Sequence, residues 1–217
     1  EVLPRYKHKV KVIPYGLDKS TYPIPTKDLL DKWRKITGQK FFLFLGVLRY
    51  YKGLHVLLDA MVDCKYPVVI AGSGPIEKEL KELAKKNNLH NIIFVNDITD
   101  DDKVALFSLC YSVVFPSHMR SEAFGISLLE GAMYGKPMIS SEIGTGTTYI
   151  NIDQKTGVIV QPSDVIGLRR AMKYLWENPE IAKSMGQEAE KRYLELFTAE
   201  KMISRYIELY TAITPPH

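Results

Sequence analysis

The stretch FPSHMRSEAFGISLLEGAMYG, residues 115–135, decides both the fold and the site that we expect in this chain. Pro116 and Ser117 end an apolar run at residues 111–115. The apolar positions that follow recur with helical spacing and are Ile126, Leu129, Ala132 and Met133. The stretch therefore predicts a buried strand, a polar loop and a helix that begins near a glycine.

The start of this predicted helix is suited to binding an anion. The backbone N–H groups of Phe124, Gly125 and Ile126 would point outward there, and the helix dipole would add partial positive charge. Glu122 stands just before this start and Glu130 two turns inside the helix. Because a carboxylate repels phosphate, we expect the glutamates to face sugar hydroxyls or a carbon that becomes positively charged.

The spacing of the two glutamates is not specific by itself. It recurs in the pairs Glu180/Glu188 and Glu200/Glu208. Those pairs lie in charged predicted helices that follow no strand and begin without glycine, which is typical of solvated faces. The context therefore selects Glu122 and Glu130.

The composition is that of an ordinary globular protein, with 46% hydrophobic residues and a formal net charge of +4 in 217 residues. Because basic and acidic residues alternate through the predicted helices, the charge gives no indication of a nucleic-acid partner. Cys64 and Cys110 have no metal-ligand partners nearby in sequence, so we interpret them as buried thiols of a reducing compartment. No apolar run is long enough to span a bilayer. We expect a cytoplasmic protein, either free or peripheral at the inner face of the membrane.

Predicted strands and helices alternate along the chain. The strands are residues 9–13, 41–45, 67–71, 92–95, 111–115, 137–140 and 158–160. The last three predicted helices are residues 164–177, 179–196 and 198 to about 213. The alternation predicts an α/β fold, a Rossmann-like doubly wound parallel sheet of about six strands with helices on both faces. Residues 1–217 form one such domain in this interpretation, with a C-terminal helix and tail at residues 198–217.

Such sheets bind ligands outside the carboxyl ends of their strands. Four predicted loops leave strand ends, at residues 46–53, 72–75, 96–99 and 117–123. Because crossovers between parallel strands are right-handed, all four loops should lie on one edge. We expect the binding site at that edge.

The segment SEAFGISLLEGAMYGKP, residues 121–137, resembles the E-x7-E segment of retaining nucleotide-sugar glycosyltransferases of the GT-B type, in glycosyltransferase family four. The segments VIPYGLD, LRYYKG, IAGSGP and TGVIVQP resemble other family segments and follow in the family's order. The resemblance covers nearly the whole chain. It implies the C-terminal, donor-binding half of a GT-B fold, so that a further N-terminal domain would bind the acceptor.

Two cations, Arg49 and Lys52, follow the predicted strand that ends before Gly46. Together with the helix start near Gly125 they could clamp a diphosphate through charge-assisted hydrogen bonds. The alternative is that both are ordinary surface charges. A Lys-Gly pair at this place is typical of the family, which favours a role for Lys52. The family usually has arginine directly after the glycine, where this chain has Val47, and Arg49 is the candidate replacement.

Several further positions have two interpretations. Gly16, in a segment similar to the family's P-N-G-V-D turn, either approaches the donor phosphates or only forms the turn. Ile98 lies in a loop for which the resemblance implies backbone contacts to the nucleobase. His118 and Arg120 either contact the donor sugar or are exposed loop residues without a role.

The resemblance implies a retaining transfer of a glycosyl group, with mannose as a candidate, from a UDP- or GDP-linked sugar to a hydroxyl in polysaccharide or glycolipid synthesis. Glu122 would hold the donor sugar, Glu130 the ribose, and Lys52 with Arg49 and the helix start the leaving diphosphate. Neither a metal nor a cofactor is expected, because these groups already supply positive charge. A lipid-linked acceptor would be met through the N-terminal domain, and the isolated domain would be inactive.

Two rival interpretations remain from the sequence. The chain could be a nucleotide-binding module without chemistry, or a domain similar to sugar-nucleotide epimerases. A related phosphorylase would require a pyridoxal-binding lysine motif, which the sequence lacks.

Overall fold

The computed structural model describes residues 6–214. Its centre is a six-stranded sheet in which all pairings are parallel, in the order β3-β2-β1-β4-β5-β6. The strands are β1 Phe42–Leu45, β2 Val68–Ala71, β3 Ile92–Val95, β4 Ser112–Phe115, β5 Met138–Ser141 and β6 Gly157–Val160. The predicted doubly wound sheet is confirmed.

Helices cover the sheet. They are α1 Lys27–Thr37, α2 Leu54–Ala60, α3 Glu77–Lys86, α4 Asp100–Leu109, α5 Ile126–Met133, α6 Thr147–Ile150, α7 Val165–Glu177, α8 Pro179–Leu196 and α9 Ala199–Ile213. Short 3-10 turns occur at Lys7–Lys9, Lys19–Thr21 and Tyr50–Lys52. No helix among residues 6–214 has the length and apolar character needed to cross a membrane.

The strand order reverses between β1 and β4, which are neighbours in the sheet although β2 and β3 lie between them in the sequence. Phe42 of β1 pairs with Val68 of β2 on one side and with Ser112 of β4 on the other. The chain therefore leaves β1 and β4 in opposite directions, and a crevice opens where their following loops diverge. This switch point positions the candidate site.

The strands are apolar throughout because both faces of the sheet are covered. In β1, Phe42 and Phe44 pack with α2, α3 and α7, whereas Leu43 faces α1, α4 and α5 on the other side. All three side chains are fully buried. Burial of each contributes about 2 kcal/mol relative to exposure.

The strand predicted at residues 9–13 is wrong. Lys7–Lys9 forms a 3-10 turn, and the chain then continues without strand pairing up to the isolated bridge at Leu17. Val10 and Val12, inside the predicted strand, are 43% and 78% exposed. Within residues 6–214 the segment pairs with no strand, so its backbone gains none of the hydrogen bonds of a sheet.

The C-terminal helix α9 has no buried residue within the described part of the chain. Its start is held where Leu17 exchanges backbone hydrogen bonds with Phe197 and Ala199, both at 2.9 Å. One stripe of apolar side chains remains exposed, namely Ile203, Tyr206, Ile207, Tyr210 and Ile213. The helix predicted from residue 198 to about 213 is confirmed, whereas its predicted packing against an N-terminal domain stays a prediction.

Candidate functional site

The loops after β1 and β4 touch at the switch point. A Cβ added to Gly53 would lie 2.0 Å from the carbonyl oxygen of Pro116, and Gly53 itself has φ +70°. The backbone N–H of His118 donates to the carbonyl of Tyr51 at 3.0 Å. The loop of Lys52 and the loop of Glu122 therefore form one edge, as the sequence predicted.

We expect Gly53→Ala to destabilise the protein by roughly 2–5 kcal/mol, because it adds both a left-handed backbone strain and a collision with a carbonyl. Gly38→Ala is the matched control. Gly38 also has φ +79°, but nothing lies within 4 Å of its added Cβ, so it should lose only about 1–3 kcal/mol. Urea unfolding of both variants measures the difference. Equal losses would show that the two loops are not in tight contact.

Lys52 and Glu122 form a buried ion pair between these loops. The ammonium of Lys52 bonds to Oε2 of Glu122, and the two side chains are only 11% and 10% exposed. Ser117 donates its hydroxyl to the same carboxylate oxygen at 3.2 Å. Lys52 Nζ also lies 4.9 Å from the centre of the Phe115 ring. Each charge compensates the other in a site where neither would be stable alone.

The start of α5 and this ion pair both lie against the ring of Phe115. Gly125 is its N-cap with φ +93°, and an added Cβ there would meet the Phe115 ring at 3.1 Å. The backbone N–H groups of Phe124, Gly125 and Ile126 find no acceptor among residues 6–214. The three predicted amides are thus unpaired at a helix N-terminus, close to a lysine that already holds a carboxylate.

Glu130 lies inside α5 and is 4% exposed. Its Oε1 accepts a hydrogen bond from the Tyr22 hydroxyl at 3.0 Å and forms an ion pair with the ammonium of Lys103 at 3.2 Å. Burial acts to lower the pKa of Lys103, but the carboxylates of Glu130 and Asp100 outweigh it and raise this pKa. Burial and the charge of Glu130 also raise the pKa of the Tyr22 hydroxyl well above its usual range. The Tyr22 hydroxyl therefore keeps its proton and remains a hydrogen-bond donor to Glu130.

The other predicted site residues occupy more open places. Arg49 is exposed and precedes the 3-10 turn that carries Lys52. Gly16 lies against the start of α9, where an added Cβ would be 2.4 Å from the Thr198 carbonyl oxygen. Ile98 is half-buried between β3 and α4, the helix that bears Lys103. Close packing against Thr198 therefore requires glycine at position 16. Contact between Gly16 and the donor phosphates stays a prediction.

Sequence reasoning missed an aromatic cluster next to the ion pair. Tyr50 stacks on His55 at 5.0 Å between ring centres, and His118 meets both rings edge-on at 5.0 Å. The Nδ1 atoms of both histidines are buried without a hydrogen bond. Burial lowers the pKa of each histidine, and the neighbouring His55 lowers that of His118 further.

The sequence-based prediction also missed Tyr22 and Lys103, although the position of Lys103 gave one indication of its role. Lys103 stands one turn into the helix that follows a loop on the binding edge, where a cation can reach the site. Tyr22 carried no signal, because 108 positions separate it from Glu130. Within residues 6–214, no group of three or more histidine, cysteine, aspartate or glutamate side chains is placed to hold a metal ion.

Comparison with known sequences gives consistent matches along the chain. The profile of the family described as "Glycosyl transferases group 1" matches residues 26–192. The chain is 59% identical to D-rhamnosyltransferase WbpZ of Pseudomonas aeruginosa over 199 residues, which are 92% of this chain and 52% of that protein. It is 46% identical to O-antigen chain mannosyltransferase C of Escherichia coli over 213 residues, 98% of this chain and 57% of that protein. The chain thus spans about half the length of these relatives.

Solved structures with the same fold include Anabaena HepE in complex with UDP and glucose, with a TM-score of 0.82 and 20% identity. That match covers 94% of this chain and 57% of HepE. The C-terminal domain of a glycosyl transferase group 1 protein, LpcC of Francisella tularensis, matches with a TM-score of 0.71 and 20% identity, over 85% of this chain and 100% of that domain. At these identities the likeness concerns the fold alone.

Proposed function

Because the chain belongs to the family of glycosyl transferases group 1, we propose that it is the donor-binding domain of a retaining glycosyltransferase. It binds a nucleoside diphosphate sugar at the edge formed by the loops of Lys52 and Glu122. One observation carries this proposal: the buried Lys52–Glu122 pair lies beside the unpaired amides at the start of α5. The cation and the helix start suit the two negative charges of the diphosphate, and the carboxylate suits the positive charge that develops on the sugar.

In this proposal the donor exchanges the partners of the ion pair. The diphosphate draws Lys52 from Glu122 and also accepts hydrogen bonds from the amides of Phe124, Gly125 and Ile126. Arg49 closes over the phosphates from the solvent side. Glu122 is then free to accept hydrogen bonds from sugar hydroxyls and to stabilise positive charge at the ring.

With the groups arranged in this way, we propose that the glycosyl group is transferred as follows. The bond between the anomeric carbon and the phosphate oxygen breaks, and the acceptor oxygen bonds to the same carbon on the same face. The acceptor's proton passes to an oxygen of the departing diphosphate. Lys52, Arg49 and the helix start stabilise the charge that develops on the leaving group, so we propose that no metal or cofactor is required.

For the donor sugar we propose a hexose of the mannose type, linked to GDP or UDP. Two related proteins are a D-rhamnosyltransferase and an O-antigen chain mannosyltransferase, and rhamnose is the 6-deoxy form of mannose. The HepE structure, by contrast, contains UDP and glucose. Ile98 would contact the base through its backbone, at the end of β3.

The whole protein would include a second domain. The relatives are about twice as long as the chain, and α9 presents an apolar stripe that includes Ile203 and Ile207. We propose that this stripe packs on an N-terminal domain that binds a hydroxyl acceptor, lipid-linked in O-antigen-type synthesis. Both cysteines are unpaired, which supports a cytoplasmic location, peripheral at the membrane where such an acceptor is held.

The test uses the full-length protein and this chain in parallel. GDP-mannose, GDP-rhamnose, UDP-glucose and the free nucleotides are titrated by calorimetry, and transfer to a hydroxyl acceptor is followed by mass spectrometry. We expect both proteins to bind either the GDP compounds or the UDP compounds. Only the full-length protein should transfer sugar, because transfer needs acceptor binding and domain closure. Binding without transfer by the full-length protein would favour a binding-only module. NMR of the product gives its anomeric configuration, and inversion relative to the donor would contradict the retaining mechanism.

A further inference from the structure

The carboxylate of Glu130 is held asymmetrically. Tyr22 and Lys103 both bond to Oε1, whereas Oε2 accepts nothing from residues 6–214. The buried polar side-chain atoms left without a partner in the described chain are the Nδ1 atoms of His55 and His118. Both acceptor positions of Oε2 are therefore free of partners from residues 6–214, and the residue as a whole is 4% exposed.

The two donors come from different parts of the chain and brace each other. Tyr22 lies in the segment before α1, and Lys103 is in the first turns of α4. Lys103 Nζ also bonds to Asp100 at 3.2 Å and lies 4.9 Å from the centre of the Tyr22 ring. The ammonium thus has fixed partners on three sides, and its side chain is only 21% exposed.

A carboxylate held in this way has little freedom to rotate. Its second oxygen keeps two acceptor positions, which suit a pair of neighbouring hydroxyl donors. A hydrogen bond from a hydroxyl to a carboxylate is stronger than one between neutral groups. The observed arrangement therefore supplies a directed acceptor and not a loose surface charge.

We propose that Tyr22 and Lys103 are positioning residues, which hold Glu130 through Oε1 so that Oε2 accepts the ribose hydroxyls of the donor nucleotide and selects ribose over deoxyribose. This inference rests on the proposed function, because it takes the ligand to be a nucleoside diphosphate. It adds two residues that act through Glu130 and never touch the sugar that is transferred.

The test compares ribonucleoside with 2′-deoxy- and 3′-deoxyribonucleoside diphosphates, using whichever of GDP and UDP binds the chain. Wild-type protein should prefer the ribonucleotide by roughly tenfold or more, as expected for a hydrogen bond to a charged group. Tyr22→Phe removes only the hydroxyl, and Lys103→Met removes only the charge. In both variants the affinity for the ribonucleotide should fall, whereas the affinity for the deoxynucleotides should stay the same. The ratio of the ribonucleotide affinity to the deoxynucleotide affinity should therefore approach one.

Lys32→Met is the matched control. Lys32 pairs with Asp102 of α4 at 3.7 Å but is 58% exposed and does not contact Glu130, so its loss should leave the ratio unchanged. Lys103→Arg keeps the cation and should restore part of the preference. A purely structural role would lower the melting temperature without changing the ratio.

The outcomes separate the two proposals. If the wild type and Glu130→Gln bind ribo- and deoxyribonucleotides equally, the ribose role of Glu130 in the proposed function is wrong, and this inference falls with it. If Glu130→Gln removes the preference while Tyr22→Phe and Lys103→Met both keep it, the positioning role alone is overturned. Because Tyr22→Phe preserves the shape of the side chain, it remains informative if Lys103→Met does not fold.

Discussion

Replacing Lys52 by alanine should lower the turnover of the full-length enzyme by roughly a hundredfold or more, as the loss of one preorganised charge-stabilising donor does. Lys52 is the buried cation of the candidate site, and its present partner is the carboxylate of Glu122. In the proposed reaction it stabilises the charge that grows on the leaving diphosphate. Since the diphosphate is also charged in the ground state, nucleotide binding should weaken by roughly tenfold as well.

Steady-state kinetics of the full-length protein and calorimetry of this chain measure the two effects. Lys173→Ala is the matched control, because Lys173 forms an exposed ion pair with Glu177 within α7 and belongs to none of the loops at the binding edge. Thermal unfolding must accompany both variants, since Lys52→Ala leaves Glu122 buried with Ser117 as its remaining partner. A Lys52→Ala enzyme that is folded and retains turnover within about threefold of wild type would exclude this role.

Glu122→Gln should separate binding from transfer. Glutamine keeps the shape and removes the charge, so transfer should fall by about a hundredfold because the positive charge at the sugar ring loses its partner. Affinity for the bare nucleoside diphosphate should not weaken. It should stay or increase, because no carboxylate then competes with phosphate for Lys52.

The control is Glu142→Gln, at an exposed glutamate that caps the N–H of Gly144 at 3.0 Å in the next loop. This variant should change neither transfer nor binding. If Glu122→Gln abolished binding of the bare nucleotide while Lys52→Ala left it intact, the roles assigned to the two residues would be reversed.

The fold was predictable because each element is strongly patterned. The short and largely apolar runs at residues 42–45, 68–71 and 112–115 are typical of strands covered on both faces. Residues 9–13 were also predicted as a strand, but the formation of a strand depends on whether another strand lies beside the segment. Helix α6 was not predicted, since four residues do not establish a helical period.

The site was predictable as far as loop positions are concerned. Parallel topology brings the loops of Lys52 and Glu122 to one edge, and glycine before a helix marks the exposed amides at Gly125. The direct bond between Lys52 and Glu122 depends on the adjacency of β1 and β4, which no local pattern encodes. The partners of Glu130 depend on packing between distant segments for the same reason.

The proposed exchange of Lys52 from Glu122 to the diphosphate is tested most directly by a crystal structure of this chain with the bound nucleoside diphosphate. We predict that Lys52 Nζ leaves Glu122 and lies about 3 Å from a diphosphate oxygen, with the amides of Phe124, Gly125 and Ile126 directed at the same group. A diphosphate bound elsewhere, with the Lys52–Glu122 pair intact, would contradict the account.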